Sequence, residues 1–350
     1  VQLVQLSEDR HRLIVDIDLL VMDAASFSLF FTELSALLQG SDLPPPIENY
    51  DFCSYLAQAE KTQAQTRKLA EQFWLTKLDT LSPAPTLPLA HEPSKQIKPF
   101  FARRRQVYSE SQWHQLKQLA AEHEVTPTMV LATVFAAVLS RWSGQEKLLL
   151  NLTLFDCLPL HKDIDRLLAD FTNIVLLDTR LDQHSLIKSI RAVQAEFADV
   201  YEHRSVSGVE VLRQLRKQES HPHGAPIVFT SNLGRSLYGE DTEQALGQLG
   251  WGISQTPQVW IDFVAYEHSD QLYLQWDSNE ALFPSGLLDA MFEAFNQLVL
   301  NLTVNRKAWS EPIPNALPAI QHAVRLRLNS QITVPLSESL LHDAIIAHAE

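Results

Sequence analysis

Three carboxylates interrupt an apolar stretch near the start of the chain: "IVDIDLLVMDAASF" (14–27) carries Asp16, Asp18 and Asp23. Carboxylate pairs move protons, and clusters of oxygens hold metal ions. Asp18 and Asp23 are five residues apart, which on a helix sets them about 140° from each other. They meet only if a strand ends between them and the chain turns. A metal site wants more oxygen ligands than Asp16 alone can add. Buried aspartates are more often hydrogen-bonded or ion-paired structural groups, so on residues alone the structural reading leads.

Two further positions are better placed for catalysis. Asp262 lies in "QTPQVWIDFVAY", among apolar neighbours on an expected interior strand. An ionised carboxylate there needs a partner or takes a raised pKa, which is what general acid–base chemistry at neutral pH requires. Thr230 ends the apolar part of "APIVFTSNL", where a hydroxyl faces either a cleft or its own turn. Asp170 in "ADFTN" is read the same two ways, as a reactive carboxylate or an Asx-type turn group. His221 and His223 in "SHPHGAP" have no third ligand nearby and read as solvated loop histidines. Phosphate-cradling glycine loops, a G-x-S-x-G nucleophile turn and a Cys–His motif are absent.

The elements that would position these groups follow from periodicity. "VQLVQL-SEDR-HRLIVDIDLL" reads as a β-hairpin. "DAASFSLFFTELSALLQG" reads as a helix, with Gly40 at its C-terminal end, and a second helix covers about 53–80. "LSPAPTLPLAHEPSKQIKPF" (81–100) has five prolines and no period, and reads as a crossing between lobes. A strand near 103–109 leads to a helix capped by Ser109 or Ser111. The next helix, "TPTMVLATVFAAVLSRWSG", has Thr126 as N-cap and Pro127 at its first position, and is apolar nearly all round, hence buried.

Further on, "EKLLLNLTLFD", "TNIVLLDTR" and "APIVFTSNL" read as strands and "PQVWIDFVAYEHSDQLYLQWD" as a hairpin. "DQHSLIKSIRAVQAEFADVYEH", "SGVEVLRQLRKQ" and "PSGLLDAMFEAFNQLVLNL" read as helices. Trp251, Trp260 and Trp276 are expected in the core. The elements mix without strict βαβ alternation, which predicts mixed α/β lobes rather than a doubly wound sheet. The expected divisions are 1–80, the 81–100 crossing, 101–305, and a weakly periodic linker over 306–350.

A net charge of −14 over 350 residues argues against a nucleic-acid footprint. The one basic run, Arg103–Arg105 in "FFARRR", is short and reads as a local pairing site. Cys53 and Cys157 make neither a disulfide framework nor a metal-ligand spacing, which fits a reducing cytoplasm. The longest apolar run, "MVLATVFAAVL" (129–139), is far short of a membrane span. Residue 1 falls inside an alternating stretch, so the chain reads as part of something longer.

Taken together the pieces resemble the heterocyclization domain of nonribosomal peptide synthetases, a branch of the condensation-domain family. That branch replaces H-H-x-x-x-D-G with D-x-x-x-x-D followed by x-x-S, here Asp18, Asp23 and Ser26. "LSPAPTLPL", "TPTMVLATVFAAVLSRWS", "ADFTN", "SGVEVLRQL", "PIVFTSNL", "SQTPQVWID" and "QWD" follow in order, covering residues 1 to about 305. The resemblance implies two chloramphenicol-acetyltransferase-like lobes in a V, the N-terminal one incomplete. It puts Leu19 where the condensation motif has its second His, the proposed base. Leucine moves no proton, so the resemblance assigns catalysis to Thr230 and Asp262, with Asp18, Asp23, Ser26 and Asp170 structural. Asp156, Gln255 and Ser231 become candidate substrate-site residues.

The implied reaction joins a carrier-bound acyl thioester to a carrier-bound Cys, Ser or Thr, then closes a thiazoline or oxazoline with loss of water. Asp262, hydrogen-bonded through Thr230, would shuttle the protons. No metal or cofactor is expected within the domain, since both substrates ride on the phosphopantetheine of partner carriers. The implied partners are the upstream and downstream peptidyl carrier domains and an adenylation domain, which "LLHDAIIAHAE" resembles the entry to; neither nucleic acid nor membrane is expected. After "LTLF" many relatives have Asn-Arg, whereas this chain has Asp156-Cys157, and an ionised Asp cannot donate a hydrogen bond. Substrate contact there would favour an alternative, a tandem partner that only condenses. A further alternative is a non-catalytic module that docks carriers.

Overall fold

The computed structural model describes residues 1–93, 98–217, 224–236, 239–314, 317–330 and 342–349. They fall into two compact units, Val1–Asn315 and Ala316–Glu350. The first opens with the expected hairpin, β1 (Gln2–Ser7) against β2 (Arg10–Ile14). The second strand stops at Ile14, short of the aspartates. Helix α1 (Ala24–Leu38) begins at Asp23, and α2 (Phe52–Lys77) begins at Asp51, whose side chain accepts from the Ser54 N–H. From 81 to 93 the chain forms no long element, as its four prolines there dictate.

A six-stranded mixed sheet follows. Its strands are β3 (Phe101–Tyr108), β4 (Lys147–Phe155), β5 (Thr172–Arg180), β6 (Ile227–Ser236), β7 (Ile261–His268) and β8 (Gln271–Asn279), in the order β3-β8-β7-β6-β4-β5. The β4–β6 and β6–β7 pairs are parallel and the rest antiparallel. The mixed α/β expectation is met. Both parallel pairs lie at the centre of the sheet.

Helix α3 (Glu110–Glu122) starts with a capping box between Ser109 and Gln112. Helix α4 (Pro127–Ser143) has Thr126 as N-cap and Gly144 at φ 70° past its end, where glycine pays no Cβ penalty. It is buried from Met129 through Leu139, as its all-round apolar pattern requires. Phe135 at its middle meets Phe229 (β6), Phe263 (β7), Trp276 (β8) and Phe295 of α8 (Leu287–Val304). This aromatic cluster is the core of the sheet's helix-covered face.

On the flank lie α5 (Leu186–Glu202) and α6 (Gly208–Lys217). A Cβ at Gly208 would sit 2.9 Å from the Ile174 carbonyl oxygen, so the close approach of α6 to β5 needs glycine there. Helix α7 (Glu240–Leu246) is not legible in the polar "GEDTEQALG". After α8 the chain stays docked: the fully buried Trp309 donates its indole N–H to the Leu302 carbonyl at 3.1 Å and stacks on His123.

The second unit holds α9 (Ala319–Ser330), where the sequence suggests only a linker, and α10 (Asp343–Ala349), where it suggests a new element. No single helix among the described residues is long and apolar enough to cross a membrane. Trp260 and Trp276 are buried as expected. Trp251 is not; it is 74% exposed, on a loop between Gly250 and Gly252 that gives it nothing to pack into.

Candidate active site

Alternation along the strands sorts the sheet into two faces. Phe229, Phe263 and Trp276 face α4 and α8. Their neighbours Val228, Thr230, Asp262, Val264, Gln275 and Asp277 therefore point the other way, where no helix of this layer covers them. Strand register arranges that face in rows. One runs Arg103–Asp277–Asp262–Val228–Asn151, the next Arg105–Gln275–Val264–Thr230–Thr153. Asp262, Thr230, Asn151 and Thr153 are half-buried, while the opposite face is sealed. Gln275 and Asp277 on the same face are buried, so these polar groups form a partly covered candidate site.

Desolvation is the main cause that pushes the Asp262 carboxyl up to about 7. The Ser254 side chain hydrogen-bonds to it and opposes the rise, Asp277 adds to it, and Arg103 works against it. Asp262 can therefore hold a proton and release it near neutrality, as the sequence argument required. Thr230 shares its face but not its hydrogen bond. The Thr230 hydroxyl donates to Thr153 Oγ1 at 3.0 Å, because register sets Thr230 beside Val264, two residues along from Asp262.

Asp277, fully buried, is the acceptor of a two-pronged bond from Arg103, with Nε and Nη2 both at 2.6 Å. It also accepts the Ser254 backbone N–H at 2.6 Å. A bidentate, multiply hydrogen-bonded pair is the form in which a buried charge is tolerated. The basic run is thus a local pairing site: Arg104 reaches Glu280 and Asp289, and Arg105 lies over the Tyr273 ring. Two acceptors on this face, Asn151 Oδ1 and Gln275 Oε1, have no hydrogen-bond partner among the described residues. Arg103, Ser254 and Gln275 lay within the quoted motifs or the basic run, but only strand pairing across the sheet gives them a role.

The opening aspartates are held elsewhere. Asp23 caps α1, accepting the Ser26 N–H at 2.8 Å and the Phe171 N–H at 3.2 Å. Ser26 donates its hydroxyl to the Ala169 carbonyl at 2.7 Å and accepts the Ala169 N–H at 3.0 Å. Together Asp23 and Ser26 staple the start of α1 to "ADF", the entry to β5. Asp170 turns its carboxylate onto the Thr172 N–H, 2.9 Å away, an Asx turn. Asp18 is exposed, and its carboxylate accepts the Leu20 N–H at 3.0 Å.

The candidate substrate residues divide. Ser231 is on the wrong face: one residue on from Thr230 it points to α4, 3.0 Å from the Thr128 hydroxyl. Asp156 is already engaged, ion-paired with Arg204 at 2.9 Å and reached by the Asn173 amide, so its charge is met by protein. Gln255 is exposed on the loop beside Ser254. His221 and His223 lie outside the described residues. No His/Cys/Asp/Glu group able to hold a metal occurs among the described residues.

The condensation-domain family model matches residues 1–309. The chain belongs to that family. It is 36% identical to phenyloxazoline synthase MbtB of Mycolicibacterium paratuberculosis, over 97% of this chain and 29% of that protein. It is also 36% identical to pyochelin synthetase PchE of Pseudomonas aeruginosa, over 99% of this chain and 24% of that protein. Among solved structures it is similar to the cyclization-docking bidomain of the nonribosomal peptide synthetase EpoB from Sorangium cellulosum. That likeness has a TM-score of 0.80 and 32% identity, and covers 88% of this chain and 63% of that one. These likenesses bear out the resemblance to heterocyclization domains and the chloramphenicol-acetyltransferase-like fold. The chain spans less than a third of the length of the curated relatives it matches.

Proposed function

We propose that this chain is a heterocyclization domain that condenses a carrier-bound acyl donor with a carrier-bound Cys, Ser or Thr and then closes a thiazoline or oxazoline. The observation that carries the reading is Asp262, a carboxyl poised at about 7 on the polar sheet face opposite α4 and α8, in a family whose usual second His is here Leu19. In the first step the acceptor amine attacks the donor thioester, forming the amide and releasing the donor carrier's thiol. In the second the side-chain OH or SH attacks the amide carbonyl, and Asp262 takes its proton. Protonated Asp262 passes that proton to the carbonyl-derived oxyanion, making a hydroxyl. Asp262 then takes the proton of the ring nitrogen and delivers it to this hydroxyl, which leaves as water as the C=N bond forms. Thr230, bonded to Thr153, supplies a hydroxyl on the same face. Holding both thioesters together supplies further rate.

The partners in this reading are the upstream and downstream peptidyl carrier domains and a neighbouring adenylation domain, with no cofactor in the domain itself. Residues 1–80 would belong to the N-terminal lobe and 101–305 to the C-terminal one. The Arg204 pairing speaks against a substrate role for Asp156, which removes the motive for a condensation-only reading.

The test loads both carriers of the full-length protein, with Cys, Ser and Thr as acceptor in turn, and weighs the acceptor-bound product by intact mass spectrometry. A product lighter than the linear amide by one water, lost in Asp262→Ala, is expected. A product that stays at the linear mass makes the domain a condensation partner. No product at all leaves a carrier-docking module.

A further inference from the structure

Asp262 does not stand alone on its row. The loop over 251–256 crosses the open face, and its fixed point is Ser254, whose backbone N–H is held 2.6 Å from Asp277 Oδ2. Asp277 cannot drift: it is fully buried, and Arg103 grips both its oxygens at 2.6 Å from the neighbouring strand. Asp277 and Asp262 are paired across β8 and β7, so the same pin that fixes the loop brings Ser254 beside Asp262, whose carboxyl it draws downward. Gly252, two residues before, lies close enough to Arg103 that a Cβ would come 3.5 Å from Nη1. The loop therefore rests directly on the ion pair.

We propose that Ser254 is a positioning residue for Asp262, and that the buried Arg103–Asp277 pair exists to hold it there. The inference rests on the reading of Asp262 as the acid–base group of ring closure. By donating to one carboxylate oxygen, Ser254 fixes the carboxyl's rotation and leaves the other oxygen for the substrate. It also favours the ionised, proton-accepting form, because a hydrogen bond to a charge is lost when that charge is neutralised. The charged groups facing Asp262 are Asp277 from β8 and Arg103 from β3. They are engaged with each other, so among the described residues Ser254 is the donor that remains for Asp262.

The experiment compares wild type with Ser254→Ala, Ser254→Thr and Asp262→Ala in the full-length protein. It measures the ratio of cyclised to linear carrier-bound product, and its dependence on pH between 5 and 9. Ser254→Ala is expected to lower the ratio about tenfold at pH 7 and to move the rising limb upward by about one pH unit. Ser254→Thr, which keeps the hydroxyl, restores both. If Ser254→Ala leaves ratio and limb in place while Asp262→Ala blocks closure, the inference is overturned and the catalytic reading stands. If both Ser254 variants lose the ratio with a lower melting temperature and an unmoved limb, Ser254 is only structural and the inference again falls. If Asp262→Ala still closes rings, the catalytic reading itself fails and takes this inference with it.

Discussion

Asp23 and Asp262 are both carboxylates drawn into protein, and they differ in what meets them there. Asp23 receives two backbone N–H groups, from Ser26 and Phe171, each locked by the helix and strand it belongs to. Asp262 receives one side-chain hydroxyl and the nearness of a second carboxylate. Backbone donors aimed at an oxygen make a carboxylate a fastener, because the charge is always wanted. A desolvated carboxyl with a single, rotatable donor is balanced between its two forms, and a proton can come and go. Asp23 is thus built to stay charged, and Asp262, on another strand, is built to change its charge.

Asp23→Ala should show the largest stability effect. It removes an N-cap and orphans the buried Phe171 N–H, at about 2–3 kcal/mol together, read as a shift of the urea midpoint. A cost below about 0.5 kcal/mol would break the comparison by showing that Asp23 fastens nothing.

Asp262→Asn should act in the opposite sense. With its folded pKa near 7, against an ordinary value of 3.8, Asp262 holds a proton in the native state that the unfolded chain has lost. Stability therefore falls as pH rises from about 4 to 7 on its account and levels off above that. Asn carries no charge to desolvate, so the variant should gain at least about 1 kcal/mol over wild type at pH 8, and the gain should shrink towards pH 4. Equal stability at both pH values would mean that Asp262 is not raised. Asp18→Ala, an exposed turn residue with one local bond, should stay within about 0.5 kcal/mol. A larger loss would move Asp18 into Asp23's class.

Local signals in the sequence were sound guides to local structure. Thr126-Pro127 and Gly144 bound α4 as caps should, and the all-round apolar run between them is buried because periodicity reports burial directly. The apolar setting of Asp262 was likewise legible, since a carboxylate among Val, Trp, Ile and Phe must be desolvated wherever its strand lies. What could not be read was register. Thr230 was expected to bond Asp262, but a shift of two residues between parallel strands gives it Thr153. Alternation alone turns Ser231 from the face of Thr230 and towards α4. The size of Trp251 suggests a core residue, while Gly250 and Gly252 leave it exposed on a loop. Ser254's role needed Asp277 and Arg103 beside it, a contact between residues 174 apart.

That separation carries a cost in time. Strand β3 emerges early and is the edge of the finished sheet, yet the strand it pairs with, β8, is made 174 residues later. At synthesis rates of about 5–20 residues per second, the edge waits on the order of ten to thirty seconds with its ladder open. An open apolar strand in a nascent chain invites other chains. Three consecutive arginines, Arg103 to Arg105, make this one a poor template until Asp277, Glu280 and Tyr273 arrive to claim them. The same residues that later fasten the site first guard the unfinished edge.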